Sequence, residues 1–398
     1  MQRDTSLLFA TRAVRLFAYG FLSVVLVLYL AAIRLDDHRI GLLLSLTLIG
    51  DVILSLILTT QADALGRRRT LVAGAILMIG AAIVFASTHD FTLLLIAATI
   101  GVISPSGNEV GPFLAVEQVA LAQIAAARDR TSLFAWYNLA GSFATAVGSL
   151  AAGAFTGMMM RRGFTNVESY RDVVIGYGLL GILLAAGFAR LSPAVEGAGG
   201  PRRLIHVDRS RGVVARLSAL FALDSFAGGL VVQSVVAYWF YRRFGLSPAV
   251  IGAIFFGANL LAGVSALAAA RIARRIGLLN TMVFTHLPSN LLLILVPFMP
   301  RLDLAIAVLL LRFSISQMDV PTRQAYLMAV VDESERTAAA GITGVARTTG
   351  AALAPVLAMP LIASVSRDWV PFVAAGLLKI VYDLALLWSS RRVNIEGG

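Results

Sequence analysis

The chain has 398 residues, of which 58% are hydrophobic and only 14% are charged, with a formal net charge of +11 and a mean hydropathy of +0.83. Soluble proteins carry about 25% charged and about 45–50% apolar residues, so this composition indicates an integral membrane protein and excludes a disordered chain, a coiled coil or a secreted disulfide scaffold. The absence of cysteine excludes thiol catalysis, cysteine-based zinc sites and iron–sulfur clusters.

Twelve runs of sequence are long and apolar enough to cross a membrane, since a spanning helix needs about 20 mostly apolar residues. The alternating pattern of an outer-membrane barrel does not occur. The predicted spans cover 13–34, 40–61, 70–88, 91–121, 132–157, 172–191, 215–240, 248–270, 279–299, 304–330, 339–364 and 370–390. The sequence therefore predicts an all-α integral membrane protein with twelve transmembrane helices.

The longest polar stretch, residues 192–212, lies midway along the chain. We interpret it as a cytoplasmic linker between an N-terminal six-helix bundle over 1–191 and a C-terminal six-helix bundle over 213–398. If both termini are cytoplasmic, the inside loops and ends hold about twice as many arginines as the outside loops, in agreement with the positive-inside rule. We therefore expect a protein of the cytoplasmic (inner) membrane, and we assign the basic charge to these loops and not to a nucleic-acid partner.

The two halves of the chain resemble each other at a nearly constant offset. At an offset of 209, Arg15 aligns with Asp224, and at 211 Gly66 aligns with Gly277. At 206, Gln118 aligns with Gln324, and Glu117 therefore aligns with Arg323. The ordered series indicates duplication, and repeated helix bundles with a site near mid-membrane are the architecture of secondary transporters.

A loop motif between the second and third spans identifies a family. The segment Asp63-Ala-Leu-Gly66-Arg67-Arg68 resembles the cytoplasmic loop signature of the major facilitator superfamily, which has an acid, a glycine and two bases at these places. The resemblance implies two pseudo-symmetric six-helix bundles and transport of a small solute by alternating access. It also implies that Asp63, Gly66, Arg67 and Arg68 form a gating loop, in which Gly66 permits a tight turn.

Ionisable residues inside predicted spans are expensive to insert and usually face a cavity or a partner. Asp51 lies about 18 Å along its helix from Asp63, near mid-membrane, and can carry a proton or serve as a hydrogen-bonded structural residue. Span 4 contains Pro105 and Pro112, which predict a kinked or partly unwound helix. Freed carbonyl groups and Glu109 at this break then suggest a cation or proton site, and a merely bent helix is the alternative.

Span 10 carries Arg312, Asp319 and Arg323 within about 20° of one line along the helix. In the resembled fold the first and fourth helices of each half line the cavity, which places this stripe there. We interpret Arg312 as an anion contact and Asp319 with Arg323 as a gate, while a self-neutralising salt bridge is the alternative. Glu117 and Gln118 in span 4 belong to the same predicted cavity.

Three further spans carry isolated charges. Asp224 in span 7 either closes the cytoplasmic side or lines the cavity. Lys379 and Asp383 in span 12 are four residues apart and are expected to pair structurally, and His286 in span 9 is expected to be peripheral. No pair of histidines has metal-ligand spacing on one helix, so no metal and no cofactor is predicted.

The predicted function is secondary active transport of a small organic solute by alternating access, coupled to protons. The substrate/proton cavity would contain Asp51, Glu109, Glu117, Gln118, Asp224, Arg312, Asp319 and Arg323. Alternatives are a facilitated or anion-exchange carrier without proton coupling and a transporter-like receptor that moves nothing. No P-loop, nucleophile–histidine pair or metal motif supports an enzyme. The expected partners are the solute, protons and the lipid bilayer, and we expect a functional monomer.

Overall fold

The computed structural model of the chain describes residues 2–124, 130–196 and 207–396. Within these ranges the secondary structure is helical, with no strand. The chain divides into two compact units. Unit 1 consists of Met1–Arg202 with Val232–Asn259, and unit 2 consists of Arg203–Val231 with Leu260–Gly398. The predicted linker is described only in part, because residues 197–206 lie outside the described ranges.

Unit 1 contains the first six predicted spans and a segment from later in the chain. Helix α1 packs against α7 and α8, helix α4 packs against α8, and α10 packs against α2. The helices are α1 (Gln2–Ser23), α2 (Leu26–Ala32), α3 (Asp37–Leu65), α4 (Arg67–Ser87), α5 (Phe91–Ile100), α6 (Phe113–Ile124), α7 (Arg130–Arg161), α8 (Asn166–Ala189), α10 (Gln233–Phe244) and the start of α11 (Pro248–Ile276).

Unit 2 is built around α9, α12, α15 and α17. Helix α9 packs against α15 and α17, and α12 packs against α13, α14 and α17. The helices are α9 (Arg211–Gly229), the later part of α11 (Pro248–Ile276), α12 (Leu278–Leu295), α13 (Leu302–Ser316), α14 (Asp319–Val330), α15 (Arg336–Ala352), α16 (Pro355–Ile362) and α17 (Val370–Glu396).

The structure confirms the predicted spans and resolves the fourth into two pieces. Eleven helical segments of the described chain are long and apolar enough to cross a membrane, and they correspond to all predicted spans but the fourth. The fourth becomes α5 and α6, separated by a non-helical segment over 101–112. Gly107 and Gly111 have φ of 71° and 77° there, and with Pro105 and Pro112 they explain the break, because neither residue type sustains a helix.

Close helix crossings depend on glycine in both units. In unit 1 a Cβ added to Gly148 of α7 would lie 2.1 Å from the carbonyl oxygen of Phe17 in α1. In unit 2 a Cβ added to Gly350 of α15 would lie 2.3 Å from the carbonyl oxygen of Ala222 in α9. The fifth helix of each half thus approaches the first at backbone contact, as small residues permit in membrane proteins.

Candidate functional site

An ion cluster joins α1 to the non-helical segment of the fourth span and to α6. Arg15 donates two parallel hydrogen bonds to Glu117, with Nη1 to Oε1 at 2.6 Å and Nη2 to Oε2 at 2.7 Å, and both side chains are inaccessible to solvent. Arg15 also lies 3.2 Å from Glu109, whose other oxygen is 2.5 Å from Arg12. The phenol of Tyr137 donates to Glu117. Two bases and two acids therefore neutralise each other inside unit 1.

The structure places Asp51 against the broken segment rather than in the ion cluster. Its carboxylate accepts hydrogen bonds from the backbone N–H of Gly111 and from the hydroxyl of Ser55, 3.3 Å away. Both donors are neutral. Asp51 is near enough to Glu109 for an electrostatic interaction, which is repulsive when both are ionised. Asp51 thus lies within a candidate span, and in the described part of the chain its carboxylate has neutral hydrogen-bond donors and no base within 4.0 Å.

Several carbonyl groups of the break already accept hydrogen bonds. The hydroxyl groups of Tyr19 and Tyr177 donate to the carbonyl oxygens of Val110 and Val102. The carbonyl of Pro105 accepts from the backbone N–H of Ser234, that of Gly107 from Thr145 and that of Asn108 from Ser104. Backbone at membrane depth requires such partners, and a cation or proton site at Glu109 stays a prediction.

The loop motif forms a tight turn that is tied to the end of the sixth span. Gly66 has a φ of 95°, which confirms the predicted turn, and its repeat partner Gly277 has a φ of 86° before α12. Glu196 accepts hydrogen bonds from the backbone N–H groups of Arg67 at 2.6 Å and Arg68 at 3.2 Å. The carboxylate therefore satisfies two of the free N–H groups at the start of α4. The side chain of Asp63 lies outside the described residues, so its predicted role stays a prediction.

Unit 2 contains a second buried ion cluster, at the repeat-related positions and with the signs reversed. Arg323 of α14 lies 3.1 Å from Asp224 of α9 and 3.0 Å from Asp319. Lys379 of α17 lies 2.6 Å from the other oxygen of Asp224. All four side chains are buried. Asp319 and Arg323 thus form the intrahelical pair that their spacing suggested, and Asp224 extends it to α9 and α17.

The predicted pairing of Lys379 with Asp383 is wrong. Asp383 accepts a hydrogen bond at 2.9 Å from Asn290 and lies 2.9 Å from His286 Nδ1, both on α12. The expectation that His286 is peripheral is also wrong, because it is buried between α12 and α17, with Nε2 3.9 Å from Asp224. Helices α12 and α17 pack on each other and α17 packs on α9, so their polar faces point into the unit and not toward lipid.

Two half-buried arginines of unit 2 lack acidic partners. Among the described residues no carboxylate lies within 4.0 Å of Arg312 or Arg347, and the Nε atom of each is buried without a hydrogen-bond partner. Both interact electrostatically with Asp224 and Asp319. Arg312 also lies 5.0 Å from the ring of Phe313. The prediction had singled out Arg312, whereas Arg347 was not considered as a site residue.

A network of neutral amides and hydroxyls lies in unit 1 near the broken segment. The amide of Gln233 donates to Ser23 at 2.9 Å and to Ser149 at 3.2 Å, and Asn259 donates to the amide oxygen of Gln233 at 3.1 Å. Gly252 packs close by, since an added Cβ would lie 2.5 Å from the carbonyl oxygen of Ser149. Residues 232–259, which follow the linker in sequence, are therefore integrated into unit 1 by polar and close backbone contacts.

Comparison with known proteins gives the family. Residues 8–355 match the model of the Major Facilitator Superfamily. The chain belongs to the Major Facilitator Superfamily. It is 31% identical over 418 residues to the uncharacterized membrane protein YJR124C of Saccharomyces cerevisiae, with 96% of this chain and 93% of that protein covered.

Solved transporters share the fold of this superfamily member. The chain matches the nucleoside transporter NupG with a TM-score of 0.73 and 13% identity, over 97% of this chain and 98% of that one. It matches a D-xylose-proton symporter with a TM-score of 0.72 and 16% identity, over 96% of each chain. At these identities the likeness shows the fold alone. Membership of the superfamily is what supports a membrane transporter, and it indicates no substrate.

Several site residues escaped the sequence analysis. Arg12 lies three residues before Arg15 on the same helix face, and this spacing is a signal that could have found it. Tyr137 and Asn290 carry no such signal, because only the crossing of helices brings them to Glu117 and Asp383. Gln118, which was predicted beside Glu117, is half-buried on α6.

Proposed function

We propose that the protein is a proton-coupled secondary transporter that moves a small organic solute by alternating access. The observation that carries this proposal is Asp51, an acid within a candidate span whose hydrogen-bond donors, among the described residues, are the backbone N–H of Gly111 and the hydroxyl of Ser55. An intramembrane acid without a basic partner is a functional-site hypothesis by default. We further propose an inner-membrane protein with both termini cytoplasmic, working as a monomer.

The contact between Asp51 and Gly111 links protonation to the shape of the fourth span. The ionised carboxylate accepts the N–H of Gly111 strongly, because hydrogen bonds to charged groups are about twice as strong as neutral ones. Protonation weakens this contact and loosens the segment between α5 and α6. Helix α6 carries Glu117, so a proton on Asp51 can shift the helix that pairs with Arg15. The proton then biases one arrangement of the broken span over another.

Alternating access requires contacts that form in one state and break in another. The network of Gln233, Asn259, Ser23 and Ser149 joins helices from the two halves of the sequence within unit 1. We propose that this packing closes one of the two access routes. The gating loop at Gly66, Arg67 and Arg68, held by Glu196, then acts on the other route. The two sequence-defined bundles, 1–191 and 213–398, are the proposed moving parts.

The solute would bind between the charged faces of the first and fourth helices of each half. The proposed cavity set contains Asp51, Glu109, Glu117, Gln118, Asp224, Arg312, Asp319 and Arg323. Within it Glu109 and Glu117 are paired with arginines of α1, and Asp224 and Asp319 are paired with Arg323. This leaves Asp51 and Arg312 as the charged members of the set that have no ionic partner within 4.0 Å among the described residues.

Flux through reconstituted protein tests the proposal. Proteoliposomes would carry the wild type, Asp51→Asn, Glu109→Gln and, as control for removal of a carboxylate, Asp303→Asn, which alters an exposed acid beside Arg301. We expect an inward proton gradient to drive uphill uptake by the wild type and by Asp303→Asn. Asp51→Asn should exchange solute downhill but lose uphill uptake.

Other results would favour the competing functions. Equal uphill uptake by Asp51→Asn and the wild type would place proton coupling elsewhere. Exchange without any response to the proton gradient would favour a facilitated or anion-exchange carrier, which the unpaired Arg312 also favours. Solute binding without flux would indicate a receptor.

A further inference from the structure

The charges around Asp224 and Asp319 do not balance. Four bases interact with one or both of these carboxylates, those of Arg312, Arg323, Arg347 and Lys379. A third carboxylate, that of Asp383, lies near enough to Asp224 for an electrostatic interaction. Asp383 is held by His286 and Asn290, so its charge is not matched by any of the four bases at ion-pair distance. The imbalance is concentrated on particular side chains.

Two of the four bases are fully engaged and two are not. Arg323 lies between Asp224 and Asp319, and Lys379 is 2.6 Å from Asp224. Arg312 and Arg347 have no carboxylate within 4.0 Å in the part of the chain that the structure describes, and their buried Nε atoms have no acceptor. A buried guanidinium group without an acceptor is costly, because its desolvation is not offset by hydrogen bonds.

Arg312 and Arg347 belong to one electrostatic neighbourhood although they lie on different helices, α13 and α15. Each interacts with both Asp224 and Asp319, and Arg347 is also repelled by Arg323. The nearby acids already face Arg323 and Lys379, so they do not neutralise the two further arginines. An added anion would satisfy both the open donors and the excess positive charge.

We infer that Arg312 and Arg347 bind the anionic group of the transported solute, which makes the substrate class an organic oxyanion. The guanidinium group presents N–H donors in a planar fork that matches carboxylate and phosphate oxygens. A neutral solute would leave the donors of both arginines open, and a cation would add to the excess charge. The inference rests on the proposed function as a transporter and adds the chemistry of its substrate.

An equilibrium binding experiment tests the substrate class without requiring flux. The purified full-length protein in detergent is heated with matched pairs at millimolar concentration: succinate with succinamide, benzoate with benzamide, and glucose 6-phosphate with glucose, together with inorganic phosphate. The melting temperature reports binding, because a ligand of the folded state stabilises it. The carboxylate and phosphate arms distinguish the two oxyanion types.

The variants are Arg312→Gln, Arg347→Gln, Arg312→Lys and the control Arg301→Gln, which removes an exposed arginine paired with Asp303. We expect at least one anion to stabilise the wild type and Arg301→Gln while its neutral partner does not. Arg312→Gln and Arg347→Gln should each lower the affinity for that anion by about tenfold to hundredfold, which is the effect of losing a hydrogen bond to a charged group. Arg312→Lys should retain part of the affinity.

Three outcomes would overturn the inference. In the first, the neutral member of a pair stabilises the protein as much as its anion does. In the second, Arg312→Gln and Arg347→Gln bind the anion with the affinity of the wild type. In the third, no anion of the panel stabilises the protein. Failure of the proposed function looks different. Proton-driven uptake of a neutral solute would preserve the function and refute the inference, whereas arginine-dependent anion binding without flux would preserve the inference and refute transport.

Discussion

The first and fourth helices of each repeat meet through a buried ion pair, formed by Arg15 and Glu117 in unit 1 and by Asp224 and Arg323 in unit 2. The positions correspond across the repeat, at offsets of 209 and 206, while the signs are reversed. The surroundings also differ. In unit 1 the cluster is balanced and Asp51 lies outside it, whereas in unit 2 Arg312 has no carboxylate within 4.0 Å among the residues that the structure describes. The same pair of helices thus accompanies an acid without a basic partner in unit 1, Asp51, and a base without an acidic partner in unit 2, Arg312, among the described residues.

The largest effect that we expect comes from breaking the balanced pair of unit 1. Arg15→Gln leaves Glu117 buried without a base and should lower the free energy of unfolding by about 3–5 kcal/mol. Glu117→Gln should cost less, because Arg15 retains Glu109 at 3.2 Å. Denaturant unfolding in detergent measures both, with Arg301→Gln as the exposed control. Equal stability of Arg15→Gln and the control would show that the pair does not hold unit 1 together.

The glycine crossings test whether the two units share their packing. Gly148→Ala in unit 1 and Gly350→Ala in unit 2 both place a methyl group against a carbonyl oxygen, so each should cost about 1–3 kcal/mol. Gly80→Ala and Gly344→Ala are matched controls, since an added Cβ meets nothing within 4 Å at either position. A cost confined to one unit, measured by unfolding in detergent, would contradict the equivalence of the two crossings.

A smaller effect on stability is expected at the glutamate of each unit that accepts hydrogen bonds from backbone N–H groups, Glu335 in unit 2 and Glu196 in unit 1. Glu335 of unit 2 accepts from the backbone N–H groups of Asp208, Arg209 and Ser210, at 2.7 to 2.9 Å. Burial would raise the pKa of Glu335, but these three donors outweigh it and lower the pKa from 4.5 to about 2. Glu196 of unit 1 accepts from two such groups.

Because the folded-state pKa of Glu335 is lowered, its contribution to stability is present above about pH 4.5 and is lost as the pH falls toward about 2. Glu335→Gln should therefore be less stable than the wild type at neutral pH, and the difference should shrink across this acidic window. Melting curves at a series of pH values measure it, with the exposed Glu333→Gln as control. A difference in stability that stays constant with pH would refute the claim that ionised Glu335 stabilises the protein through these hydrogen bonds.

The smallest effect on stability is expected from replacing the arginines that have no acidic partner among the described residues, in contrast to the paired Arg323. Arg312→Gln and Arg347→Gln remove groups that have no acid to strand, so the stability of the ligand-free protein should be unchanged or slightly raised. Arg323→Gln removes the base beside Asp319 and should be clearly destabilising. Melting of the three variants without solute makes the comparison. A loss in Arg312→Gln as large as in Arg323→Gln would assign Arg312 to the fold rather than to a ligand.

The sequence was sufficient for those features that depend on local chemistry. Long apolar runs predict the spans, because a helix in lipid must satisfy its own backbone. Pro105 and Pro112 predict the break in span 4, and Gly66 predicts the turn between α3 and α4. The repeat aligned Arg15 with Asp224 and Glu117 with Arg323, but it did not predict the pairs that form within each unit, Arg15 with Glu117 and Asp224 with Arg323.

Contacts that depend on helix crossings were not predictable in the same way. Spacing places Lys379 and Asp383 on one face of a helix but does not say what that face meets. Packing of α17 on α9 brings Lys379 to Asp224, and packing on α12 brings Asp383 to His286. The hydrogen bonds that Tyr19 and Tyr177 donate to carbonyl groups of span 4 were not predictable for the same reason, since both tyrosines lie on other helices.

The central claim is that Asp51 in unit 1 and the arginines Arg312 and Arg347 in unit 2 serve transport. Measuring the uptake of an anion under an imposed proton gradient tests this claim most directly. An anion selected by the binding experiment would be offered to proteoliposomes containing the wild type, Asp51→Asn or Arg312→Gln. We predict that the wild type concentrates the anion, that Asp51→Asn only equilibrates it, and that Arg312→Gln needs a much higher concentration to do either. Concentration of the anion to the same level by the wild type and both variants would contradict the account.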